Sequence, residues 1–130
     1  MKHETSLAVR SYECDSYGHV NHAVYVNYLE YARIEFLRAH GFDYAGMVEA
    51  GYFMVVAHLG IEYRTPAYAA DELRIDTEPA EIRRISGTIR QTIRRGEDVI
   101  ARAEVRWCVV DRRGIPTKPP AAYDLRRLGA

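Results

Sequence analysis

The sequence predicts an α+β fold in which an antiparallel, five-stranded sheet curls around one long central helix. Three observations lead there. Tyr25, Tyr28, Leu29, Ala32 and Phe36 recur at offsets of three, four, seven and eleven, the stripe of a helix buried on one face. Residues 85–94 and 99–109 alternate apolar and polar positions on either side of a turn, as a long hairpin with one dry face does. The order of elements is strand, helix, short helix and then four strands. One helix and one single-faced sheet can bury their apolar surfaces only against each other.

Taken in order, residues 6–13 alternate weakly and read as the first strand, with Leu7, Val9 and Ser11 on one face. A polar loop follows, carrying Asp15, Gly18, His19 and His22. Asn21 is the expected N-cap of the long helix, because its short side chain accepts a free N–H of the first turn. Gly41 is the expected stop, since glycine takes the left-handed conformation there. That helix has about 19 residues and is roughly 28 Å long. Residues 42–50 read as a short second helix ended by Gly51. Residues 52–63 form a strand, with Leu59, Ile61 and Tyr63 on one face and His58 and Glu62 on the other. Residues 65–67 end it. Residues 71–82 form the next strand, where Pro79 marks a bulge or an edge.

The final hairpin sets Ile85, Gly87, Ile89, Gln91 and Ile93 beside Val99, Ala101, Ala103, Val105, Trp107 and Val109. Arg102, Glu104 and Arg106 face the other way. A proline-rich tail at 115–120 closes what reads as a single domain over residues 1–130.

Composition excludes several classes. Apolar residues make up 48% and charged residues 28%, as in a soluble globular protein. Eighteen basic and eighteen acidic side chains cancel, which removes the electrostatic case for nucleic acid or an anionic membrane surface. No apolar run is long enough for a membrane span, and residues 1–5 lack the apolar core of a signal peptide. Cys14 and Cys108 read as free thiols, and the expected location is cytoplasmic. Five of the ten tyrosines fall between positions 12 and 31, pointing to a wide, partly polar pocket or interface around the helix.

The chemistry is concentrated at the start of that helix. A helix N-terminus offers unpaired N–H donors and a partial positive charge. Asp15 sits a few residues before it. A carboxylate beside fixed donors suits hydrolysis of an activated carbonyl: one group attacks or activates water, the others hold the oxyanion. The alternative is that Asp15 only caps a turn. Asp15, His19 and His22 are zinc-type ligands, but their spacing is not that of a helical zinc motif and no further ligands follow, so no metal is expected. Arg83, Arg84 and Ser86, between two strands, suit phosphate. A solvated turn is the rival there, and Lys118 is a weaker candidate of the same kind.

Residues 15–25, Asp-Ser-Tyr-Gly-His-Val-Asn-His-Ala-Val-Tyr, and residues 30–37, Glu-Tyr-Ala-Arg-Ile-Glu-Phe-Leu, carry a resemblance. So do Ile61-Glu62-Tyr63, Pro66-Ala67, Asp71-Glu72-Leu73 and the hairpin from Trp107 to Asp111. Together they resemble the hotdog-fold acyl-CoA thioesterases of the 4-hydroxybenzoyl-CoA thioesterase and YbgC type, over nearly the whole chain. The resemblance implies hydrolysis of acyl-CoA thioesters to a free carboxylic acid and coenzyme A. It makes Asp15 the nucleophile or general base and the backbone N–H of His22 the group that polarises the carbonyl. The His22 side chain would orient water or thioester, and Tyr25 would line the pocket. Gly18, His19 and Asn21 would border the substrate, and Arg83, Arg84 and Ser86 would meet the phosphates of coenzyme A.

Coenzyme A is then part of the substrate, and no cofactor is expected. His19 and Asn21 depart from many relatives, and the His-Val-Asn-His run resembles the His-Val-Asn-Asn of fatty acyl thioesterases, so the acyl group stays open. The resemblance also implies a homo-oligomer, with a dimer as the minimal unit and a tetramer by the same analogy. Two alternatives are a non-catalytic acyl-CoA-binding hotdog module and a hotdog hydratase or dehydratase. The Asp-x-(Asn)-x-x-His pattern of the latter is not found.

Overall fold

The long helix forms on the predicted stripe but starts later than the sequence reading places it. In the computed structural model, which describes residues 2–129, α1 spans Val24–Ala39, sixteen residues. Met1 and Ala130, the ends of the predicted domain, lie outside the described residues. Asn21 caps a turn that precedes the helix: its Oδ1 accepts the N–H of Ala23 at 2.9 Å and its backbone oxygen accepts that of Val24. Ala23 therefore takes the cap position, with no side-chain bond. At the other end Gly41 adopts φ +67° and Phe42 N–H reaches back to the Leu37 carbonyl, the left-handed closure that glycine favours. The short α2, Tyr44–Glu49, is capped by Asp43, whose Oδ1 accepts the Gly46 N–H.

The first strand is also displaced. β1 spans His3–Ala8, and residues 11–13 form a 3₁₀ turn instead of continuing it. The cause is Glu13, whose carboxylate folds back to accept the Arg10 N–H at 2.8 Å. β2 (Phe53–Tyr63), β3 (Glu72–Ile82), β4 (Ser86–Arg95) and β5 (Asp98–Val110) complete one antiparallel sheet in the order β1-β3-β4-β5-β2. Register shifts interrupt the ladders between Val56 and His58, between Pro79 and Glu81, and between Ile93 and Arg94. Such bulges add local bend and twist. The result is the hotdog arrangement that the sequence predicts.

The concave face buries Leu73, Ile75, Ile89, Ile93, Ala101 and Trp107 against Tyr25, Tyr28, Leu29, Ala32 and Phe36 of α1. Gly87 is required by a close approach: a Cβ there would collide with the ring of Trp107. One polar side chain sits in the middle of this face. Gln91, 1% exposed, donates from Nε2 to the Leu29 carbonyl and to Thr77 Oγ1, both at 3.0 Å, and so ties the helix to the sheet. The proline-rich tail is not the end of the closure. Two 3₁₀ turns, Ala121–Tyr123 and Leu125–Gly129, bury Leu125 and Leu128 in the core cluster at the C-terminal end of α1. No helix of the described residues is long and apolar enough to cross a membrane.

Candidate active site

The loop ahead of α1 is a small clamp. Cys14 bridges Val20, Asp15 N–H donates to the His19 carbonyl at 2.9 Å, and Gly18 N–H returns to the Asp15 carbonyl at 3.0 Å. Gly18 closes this turn at φ +87°, which a side chain would oppose. The clamp is pinned from below. Val20 N–H donates to the Ala67 carbonyl, and Ala67 N–H donates to the Tyr25 hydroxyl at 3.2 Å. Arg95 secures the far side of that loop, donating to the Pro66 carbonyl at 3.1 Å and to Asp71 at 2.8 Å. The arginine holds the Asp71 carboxyl below its ordinary range.

Around the clamp opens a cavity of about 460 Å³, lined by Asp15, His19, His22 and Tyr25, among others. Asp15 is held by one oxygen. Its Oδ1 accepts the Tyr17 N–H at 2.9 Å, while Oδ2 lies 3.8 Å from Nδ1 of His19. Ala23 and Val24 spend their N–H groups on Asn21; the N–H groups of His22 and Tyr25 have no acceptor among the described residues. Asp15, with a half-free carboxylate, and His22 and Tyr25, with unspent N–H groups, thus line one cavity. Burial pushes the Tyr25 hydroxyl above its ordinary pKa, so it stays protonated and acts as a neutral wall and hydrogen-bonding group.

The structure brings Asp15, His19, His22 and Tyr25 together, as the sequence reading groups them. Gly18 and Asn21 belong to the same loop but do not line the cavity; they shape its turns. Arg83, Arg84 and Ser86 lie elsewhere in the chain. They sit where β3 meets β4, at the end of the sheet where β2 begins, whereas the cavity opens where β2 ends and β3 begins. Arg84 lines a separate cleft of about 130 Å³ with Lys118 and Arg126. Among the described residues no three His, Cys, Asp or Glu side chains could hold a metal ion.

Tyr63, Arg64, Thr65 and Pro66 complete the cavity, and the sequence reading does not include them among the site residues. Tyr63 donates from its hydroxyl to the His22 carbonyl at 2.8 Å, and its ring lies 5.5 Å from that of Tyr25. The available signal was the break at residues 65–67, which ends a strand beside the helix start.

Comparison with known proteins adds a family. The sequence model of the thioesterase-like superfamily matches residues 9–125. The acyl-CoA thioester hydrolase YbgC of Escherichia coli is 37% identical over 100 residues, covering 76% of this chain and 75% of that protein. The long-chain acyl-CoA thioesterase FadM of E. coli is 32% identical over 110 residues, covering 83% of each. The crystal structure of a probable thioesterase from Bartonella henselae superposes with a TM-score of 0.85 at 31% identity, over 92% of this chain and all (100%) of that one.

Proposed function

The chain belongs to the thioesterase-like superfamily, and on that premise we propose that it hydrolyses acyl-CoA thioesters to a carboxylic acid and free coenzyme A. The observation that carries the proposal is the shared cavity: Asp15, His22 and Tyr25 line the same space, and the N–H groups of His22 and Tyr25 are unspent. A planar thioester carbonyl between them would have an attacking or water-activating oxygen on one side and donors for the oxyanion on the other.

The chemistry asks little else of the site. Sulfur donates weakly into a carbonyl and thiolate leaves readily, so a carboxylate and an oxyanion site suffice. As general base, Asp15 takes a proton from water as its oxygen attacks the carbonyl carbon. As nucleophile, it forms an anhydride that water then opens. In either course the C–S bond breaks, water supplies the acid's new oxygen, and the thiolate of coenzyme A takes up a proton. Tyr17 N–H fixes one Asp15 oxygen, which leaves the other to react. The His22 side chain, exposed on the rim, is assigned to orienting water or thioester.

Coenzyme A carries phosphates, and Arg64 is the cation that lines the cavity. We assign it to the charged arm of the substrate. Arg83, Arg84 and Ser86 act on the same arm only from a second protomer. That fits the self-association we propose, a dimer built on the unpartnered edge of β2, with a tetramer by analogy. A cytoplasmic location is in keeping with the two free cysteines.

A thiol-release assay over a panel of aromatic, short-chain and long-chain acyl-CoAs tests the reading. Release of free thiol with at least one of them supports it. Tight binding with thermal protection and no release would make the chain an acyl-CoA-binding module. Addition of water across an enoyl-CoA with the thioester intact would make it a hydratase.

A further inference from the structure

In the proposed reaction the His22 N–H is a donor to the oxyanion, and the peptides on both sides of His22 are held. On its N-terminal side, the Asn21 carbonyl accepts the Val24 N–H at 2.9 Å. The carbonyl and N–H of a trans peptide point in opposite directions, so the His22 N–H of that peptide points the other way. On its C-terminal side, the Ala23 N–H donates to Asn21 Oδ1 at 2.9 Å, and the His22 carbonyl accepts the Tyr63 hydroxyl at 2.8 Å. Of the four polar groups in these two peptides, three are bonded and the His22 N–H alone is left.

Two of those bonds lie within residues 21–24. The third comes from the sheet. A helix would give the His22 carbonyl the N–H four residues on, but the Val26 N–H goes to the Ala23 carbonyl. Among the described residues Tyr63 is then the one donor to the His22 carbonyl.

Tyr63 is itself firmly placed. It ends β2 opposite Ala101 of β5, and the next two N–H groups, of Arg64 and Thr65, both reach the Ile100 carbonyl, at 2.9 and 3.1 Å. Its ring lies 5.5 Å from that of Tyr25, which meets the Tyr28 ring edge-on at 6.0 Å. The hydroxyl has one proton and gives it to His22, so that proton is not offered to the oxyanion or to the leaving thiolate. Burial raises the Tyr63 hydroxyl above its ordinary pKa, which keeps the donor in place at neutral pH.

We infer that Tyr63 is a positioning residue for the reaction: from the end of β2 it holds the His22 carbonyl, and through it the direction of the His22 N–H. This rests on the thioester hydrolysis proposed above and adds a residue to it. A donor already fixed in direction needs no reorganisation as charge develops on the carbonyl oxygen. Its effect is therefore felt in the transition state rather than in binding.

Single-turnover thiol release by Tyr63→Phe, over a range of enzyme concentration, tests this with an acyl-CoA that the wild type cleaves. The bond is exposed, so water can take the place of the hydroxyl and the variant should melt close to the wild type. The rate at saturation should fall about ten- to a hundredfold, with the half-saturating concentration within about twofold of wild type. The loss should be the same at every pH. Asn21→Ala releases the other end of the same peptide. The double variant should lose less than the product of the two single losses, since a peptide already freed has less left to lose. A folded Tyr63→Phe variant with the wild-type rate, or a loss carried by the half-saturating concentration alone, would overturn the positioning role and leave the hydrolase reading standing. So would a loss confined to the alkaline limb, or a double variant whose losses multiply. A wild type that releases thiol from no acyl-CoA of the panel would overturn the hydrolase reading, and this inference with it.

Discussion

The Tyr28 hydroxyl donates to the Glu13 carboxylate at 2.9 Å, joining α1 to a residue fifteen positions earlier. The same carboxylate accepts the Arg10 N–H and lies 3.0 Å from the Arg10 guanidinium. Glu13 also gives its backbone carbonyl to the Asn21 N–H at 3.0 Å. The base of the Asp15 clamp is thus bolted to the helix whose N-terminus it faces. Burial and the adjacent Glu13 push the Tyr28 hydroxyl upward, so it remains a donor over the working pH range.

Removing that donor by Tyr28→Phe leaves a buried carboxylate short of a partner. The expected loss is about 1–3 kcal/mol of stability, read by chemical denaturation. Because the clamp carries Asp15, kcat should fall more than KM rises. A variant with wild-type stability and wild-type kcat would show that the bolt is idle.

Gly87→Ala tests the packing of the sheet. The new methyl would collide with the Trp107 ring, which is buried in the core. Overpacking of this kind costs about 1–3 kcal/mol. A shift of the denaturation midpoint with an unchanged slope is the expected signature.

Much of this fold is legible in the sequence, and the reason is periodicity. The helix stripe from Tyr25 to Phe36 and the alternation through Ile89 and Val105 each repeat often enough to fix which face is dry. The misplacements are local. Asn21 is a good capping residue, but it caps the turn before the helix; Glu13 ends the first strand by accepting its own chain. Leu125 and Leu128 lie in 3₁₀ turns too short to show a period. Arg33 looks like a solvent-facing residue off the stripe, and only the pairing of β4 with its neighbours shows that Gln91 reaches it. In the candidate site, Asp15, His22 and Tyr25 are close in sequence and line one cavity. Tyr63 and Arg64 arrive through strand order, which local composition does not encode. For the same reason the sequence does not show that Arg83 and Arg84 lie at the other end of the sheet from that cavity.

Arg64→Ala and Arg84→Ala separate the two candidate phosphate contacts. If Arg64 holds the charged arm of coenzyme A, its loss raises KM by about tenfold, the worth of a charge-assisted hydrogen bond, with kcat little changed. Arg84→Ala should do so only in the associated state, since within one chain Arg84 lies at the other end of the sheet. Steady-state kinetics over a range of protein concentration reads both.

Acid titration of stability tests the tail closure. Arg126 holds the Asp124 carboxyl at about 2, below its ordinary 3.8. A depressed carboxylate stabilises the fold above its unfolded pKa, and that contribution is lost as pH falls through the folded one. Asp124→Asn should therefore lower Tm most above pH 4, and the gap should close toward pH 2. Calorimetry across that window checks it, and a gap that does not change with pH would contradict the pairing.

The most direct measurement is single-turnover thiol release by Asp15→Asn. The amide keeps an oxygen to accept the Tyr17 N–H but cannot serve as base or nucleophile. The rate should fall by about 10²–10⁴ if Asp15 is a general base, and further if it is the nucleophile, with acyl-CoA binding retained. A folded Asp15→Asn variant that releases thiol at the wild-type rate would contradict the assignment of this site.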